Sequence, residues 1–147
     1  MNRVFLMGYR FDILQNPPIN RKDPFMQYLR RLIALRQQVK ADLYASDFRD
    51  EIGLGPLPEN VYAKLFRRSD GGSLVLNLVD RRQGKKAPFT LTIDLAKNDF
   101  PRPGDAALYE FDERRTRLTT RAEAATLALE IPPLEGDVAA IAVTRRP

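Results

Sequence analysis

The stretch VYAKLFRRSDGGSLVLNLVDRR (residues 61–82) holds two β-rich runs, 61–68 and 73–82, on either side of SDGG. Valine, leucine, tyrosine and phenylalanine favour the pleated, half-buried surface of a strand, and the paired glycines supply the backbone freedom of a tight turn, so the segment predicts a β-hairpin. The same grammar continues downstream. RQGKK is a second turn leading into PFTLTIDL (88–95), NDFPRPGD is a loop before AALYEFDE (106–113), and RRTRLTTRAEA holds a short strand and a turn. ATLALEI (125–131) and VAAIAVTRR (138–146) close the series. About six or seven short strands at regular spacing, with no second helical pattern among them, predict an antiparallel β-sandwich or barrel.

Upstream of the hairpin, RDEIGLGPLPEN carries two glycines and two prolines and breaks the pattern. The boundary is placed there, giving segments 1–54 and 57–147. Before it the period is helical. Asp23-Pro24 is a helix entry, an N-cap followed by proline at the first helical position. In FMQYLRRLIALRQQVKADLYASDF the apolar residues Phe25, Tyr28, Leu29, Leu32, Leu35, Val39 and Leu43 share one face of a long amphipathic helix. The chain opens with MNRVFLMGYRFDIL, whose apolar run Val4–Tyr9 predicts a buried strand that needs neighbours, and ILQNPPINRKDP reads as the loop after it. The expected fold is thus mostly β: an antiparallel sandwich preceded by a strand and one long helix.

Composition narrows the chemistry. The 147 residues include no cysteine and no histidine. Disulfides, thiolate or histidine metal sites, and His-activated nucleophiles are all excluded within this chain. The aspartates 70, 80, 94, 99 and 105 lack calcium-loop spacing, so neither a metal nor another cofactor is expected. The net charge of +5 includes arginine doublets at 30–31, 67–68, 81–82, 114–115 and 145–146, mixed with acids. Neighbours on a strand or helix diverge, so doublets build no single basic stripe, and no nucleic-acid partner is expected. No apolar window reaches membrane-span length, so no membrane partner is expected. The absence of a signal-peptide pattern points to a cytoplasmic location.

The order of buried strand, loop, long amphipathic helix and sandwich resembles the C-terminal end of a (β/α)8-barrel glycoside hydrolase of the α-amylase and α-galactosidase type. FLMGYRFDI stands where the last barrel strand and its loop would be, and YLRRLIALRQQVKADLYASDFRDEIGL where the last helix and junction would be. VYAKLFRRSDGGSLVLNLVDRR is similar to the first hairpin of the appended domain, and GDVAAIAVTRR to its closing strand. The resemblance implies that the other barrel strands lie in an upstream domain and that the partner is a carbohydrate, met through that parent barrel. It implies glycosidic hydrolysis by two carboxylates located elsewhere, since no residue here matches a catalytic motif of the family.

In a barrel, substrate is met at the C-terminal strand ends. Tyr9, Arg10 and Asp12 stand there as candidate sugar-binding residues, or as a structural cluster holding the loop. Asp50 and Glu51, at the junction, read as a salt bridge or cap. Tyr62, Phe66, Phe89, Tyr109 and Phe111 form either an aromatic platform or, as their shared strand faces favour, part of the sandwich core. The competing function is a self-contained carbohydrate- or protein-binding β-domain, with Val4–Tyr9 on a sheet edge and the helix across one face.

Overall fold

The computed structural model describes residues 2–8 and 22–146. Two antiparallel sheets make the sandwich. The larger has six strands in the order β1-β2-β3-β9-β5-β6, the smaller three in the order β4-β8-β7. The hairpin that anchors the sequence argument is β2 (Val61–Arg68) and β3 (Ser73–Asp80). The other strands are β1 (Ser46–Asp50), β4 (Phe89–Asp94), β5 (Pro103–Tyr109), β6 (Arg115–Arg117), β7 (Thr120–Glu123), β8 (Thr126–Ile131) and β9 (Val138–Arg145). The mostly β, sandwich-like architecture is the one the turn spacing predicts. The strands beyond the predicted set are short. RRTRLTTRAEA holds both β6 and β7, and β1 occupies residues read as the tail of the helix.

The strand period of two sorts side chains into two cores. Leu65, Leu74, Leu76, Leu78, Leu108, Ile141 and Val143 face the small sheet and meet Leu91, Ile93, Leu127 and Leu129. The alternate residues Phe66, Val75, Val79, Val138, Ala140 and Ala142 face the other way and are covered by helices. β3 is therefore buried along its whole length, which explains why its sequence reads as an almost unbroken apolar run rather than an alternation.

The covering helix is α2 (Pro24–Gln38), extended after a break at Val39 by α3 (Lys40–Leu43). Its start is the predicted one: Asp23 caps it, accepting hydrogen bonds from the Phe25 and Met26 amides, with Pro24 in the first turn. Leu32, Leu35, Val39 and Leu43 turn towards the sheet. The helical region ends at Leu43, the last residue of its apolar period; Ser46 Oγ then donates to the Asp42 carbonyl, and the backbone leaves to pair with β2. No described helix is long and apolar enough to cross a membrane.

The opening segment departs from expectation. Val4–Leu6, the first half of the run read as a buried strand over Val4–Tyr9, instead belong to a short helix, α1 (Asn2–Leu6). Consecutive residues on a strand point to opposite faces, whereas Phe5 and Leu6 are both buried in the same cluster, as a helical turn allows. β3 already has β2 and β9 as neighbours, so no edge is open to a further strand in the middle of the sheet. The sheet instead offers Asn77, fully buried on β3, whose Nδ2 donates to the carbonyls of Phe5 (2.9 Å) and Leu6 (3.4 Å). Tyr28 Oη donates to Asn2 Oδ1 at 2.6 Å and ties α1 to α2. Gly8 ends the turn at φ +71°, where a Cβ would lie 2.7 Å from the Phe66 ring, so both conformation and space call for glycine.

Replacing Asn77 by alanine leaves the last carbonyls of α1 without their buried donor. The expected loss is about 1–2 kcal/mol in denaturant unfolding. It should be accompanied by faster amide exchange in residues 5–8, and unchanged exchange there would mean that α1 is held by apolar contact alone.

Candidate functional site

Where α1 meets the ends of β2, β3 and β9, the surface forms a cleft of about 620 Å³ lined by Asn2, Arg3, Leu6, Tyr62, Val79, Arg81, Gln83 and Asp137. Each element contributes for a local reason. Tyr62 pairs with Val79 across the β2–β3 ladder and points to the outer face. It lies beyond the reach of α2, so its ring stays 46% exposed. Arg3 is exposed on α1, whose Phe5 and Leu6 are buried.

Arg81 is delivered by the end of β3. Asp80, fully buried, is gripped by Arg82 through a two-pronged ion pair, Nε to Oδ1 at 3.0 Å and Nη2 to Oδ2 at 2.9 Å, with the Arg82 amide also on Oδ1. The Arg82 guanidinium lies 5.1 Å from the Phe89 ring centre and bonds the Ala87 carbonyl. Lys86 closes the knot, donating to the carbonyls of Asp80 and Gly136 and to Asp137. With Arg82 folded back, Arg81 goes to the cleft. No ion pair forms on Arg3 or Arg81 among the described residues. The cleft thus presents an aromatic face, two open guanidinium groups, amides and one carboxylate, the chemistry that stacks on and hydrogen-bonds a polyhydroxylated ring.

Burial by itself would raise the pKa of the Asp80 carboxyl. The hydrogen bonds from Arg82, with Lys86 nearby, outweigh it and hold the group below the usual carboxylate value.

Of the sequence candidates, Tyr9, Arg10 and Asp12 lie outside the described residues. Asp50 and Glu51 both hold Lys64, the salt-bridge reading. The five aromatics divide. Phe66 is buried in the core between sheet and helices. Phe89 packs against the inter-sheet core. Phe111 sits edge-on to Tyr28 with centroids 5.7 Å apart and Arg31 at 4.3 Å, and Tyr109 is half-buried beneath Arg115. Tyr62 is the exception, and placing it in the core is corrected: strand alternation aims it outward, as it aims Phe66, but no helix covers it. Arg3 and Gln83 were not among the sequence candidates, and Arg81 figured there only as half of an arginine doublet. The signal for Arg81 was present, because a buried Asp80 that recruits Arg82 leaves its neighbour to the opposite side. Among the described residues no three acidic side chains gather to hold a metal.

Neither a protein-family model nor a curated protein matches this sequence. Among solved structures the chain is similar to the alpha-L-fucosidase isoenzyme 2 from Paenibacillus thiaminolyticus, at 15% identity and a TM-score of 0.48. The alignment covers 86% of this chain and 19% of that one, so the chain spans about a fifth of the length of that enzyme.

Asp80→Asn removes the charged partner of Arg82 and is expected to cost about 1.5–3 kcal/mol at neutral pH. The stabilisation in the native protein is complete above the ordinary carboxylate pKa of about 3.9 and is lost as pH falls through the lower folded value. Acid unfolding curves of native and variant protein should therefore converge below that range, and parallel curves would show that the pair does not set acid stability.

Proposed function

We propose that the chain is the C-terminal, non-catalytic portion of a carbohydrate-active enzyme, a glycoside hydrolase, and that its sandwich has a structural or accessory role. The observation that carries this reading is the order of layers. An amphipathic helix precedes a two-sheet antiparallel sandwich and lies across the outer face of its larger sheet, the arrangement expected where the last helix of a barrel runs into an appended domain. The catalytic carboxylates would belong to an upstream barrel domain. In this chain the cleft around Tyr62 is the place for a saccharide, with the ring as a stacking plate and Arg3, Arg81 and Gln83 as hydrogen-bond donors.

A specific observation favours the second reading, a stand-alone binding domain. Phe5 is fully buried, and α1 is tied to this chain's own sheet and helix by Asn77 and Tyr28. The N-terminal turn is thus spent within the molecule rather than left waiting for barrel strands.

The mass of the native polypeptide in its source cells, read by immunoblot against the sandwich, separates the two. A band several times larger than 16.8 kDa is expected; a single band at that mass would overturn the first reading in favour of the second. Isolated chain should show no turnover of aryl glycosides. Tyr62→Ala should abolish any oligosaccharide-induced amide shifts around the cleft without lowering Tm, since the ring is half-exposed.

A further inference from the structure

The turn between β2 and β3 brings together two of the arginine doublets. Within each doublet the strand alternation splits the pair. Arg67 lies across the ladder from Leu74, and Leu74 from Val143 on β9, so Arg67 and Arg145 share the face that looks towards the small sheet, just beyond the end of the apolar core. The Arg145 amide donates to the Gly72 carbonyl at 2.9 Å, which holds the end of β9 against the turn.

Between the two side chains lies Gly71, buried and at φ +71°. The position that a Cβ would occupy there is 3.4 Å from Arg145 Nη1 and 3.5 Å from Arg67 Nη2. Two guanidinium groups thus border one small space that glycine keeps empty. Like charges this close repel unless an anion lies between them. The local acids are engaged otherwise. Asp70 pairs with Arg68 at 3.1 Å and accepts from the Gly72 amide. Asp42 takes Arg68 and Ser73. Asp47, the cross-strand neighbour of Arg67, accepts from Ser69. Neither Arg67 nor Arg145 has an ion pair among the described residues, and Arg67 Nε is buried without a hydrogen-bond partner.

We propose that Arg67 and Arg145 form an oxyanion clamp over Gly71, a binding site for a ligand bearing a carboxylate, sulfate or phosphate group. The guanidinium fork suits these groups because it offers paired, coplanar N–H donors that a lysine ammonium does not. The site lies on the opposite face of the large sheet from the Tyr62 cleft and stands whether or not the parent is a glycosidase.

The test uses the full chain at low ionic strength, titrated with inorganic phosphate, sulfate and acetate against a chloride control, following backbone amides by NMR. Saturable shifts confined to residues 67–72 and 144–146 are expected. Acetate acting alone would assign a carboxylate ligand, and phosphate or sulfate acting alone a tetrahedral one. Arg145→Gln, at an exposed position whose loss leaves the fold intact, should weaken the response at least tenfold, as should Arg67→Gln. Arg121→Gln, which removes the same charge from the exposed β7, should leave it unchanged, and Arg145→Lys should not restore full affinity. Shifts spread over the whole basic surface, equal losses in Arg121→Gln and Arg145→Gln, or no saturable response to any of the three anions would overturn the proposal.

Discussion

Val75, Val79, Val138, Ala140 and Ala142 make the side of the large sheet facing away from the small one apolar, and the need to cover that surface organises the rest of the molecule. The inner face is closed by the small sheet. The outer face cannot be left to water, because fully burying each of its valines is worth on the order of 1.5–3 kcal/mol. The amphipathic α2–α3 segment covers the middle and α1 covers the end. Where α1 runs out the surface becomes polar, and the cleft opens there. Its position is thus set by how far the covering layer reaches.

Polar anchors fix what apolar contact alone would leave free to slide. Asn77 is a single amide in an otherwise apolar strand, and it selects where α1 sits by bonding its last carbonyls. Asp80 and Arg82 do the same at the strand end, turning the chain sharply and sending Arg81 outward. Both anchors couple a buried group in β3 to a segment on the rim of the cleft. The strand at the centre of the fold is therefore also the frame of the candidate site.

The sandwich was legible because its strands β2, β3, β4, β8 and β9 are bounded on at least one side by turns with glycine or proline and because β3 and β9 carry runs too apolar to be anything but central. The start of α2 was legible from Asp23-Pro24, which encodes a cap by side-chain chemistry alone. The fate of Val4–Leu6 was not. A short apolar run satisfies a strand or a helical turn equally well, and the choice depends on Asn77, more than seventy residues away. β1 was hidden for a related reason: SDFRD has little apolar content, and it becomes a strand by pairing with the exposed edge of β2. The cleft was the least legible part. Its residues come from four separate segments, and of the aromatics singled out beforehand only Tyr62 faces it.

The strand order has a consequence for how the chain acquires its structure. β9, the last strand in sequence, is inserted between β3 and β5 near the centre of the large sheet. The ladder between β3 and β9 joins residues some sixty to seventy positions apart. Such long loops must close before the contact gives any return, which slows folding. On the ribosome the β2–β3 hairpin emerges well before β9, and β3 keeps an unsatisfied edge until β9 clears the exit tunnel. Between the emergence of β3 and that of β9 the nascent chain therefore carries an open, highly apolar edge. That interval, rather than the finished fold, is when the centre of the large sheet offers an unpaired edge to aggregation.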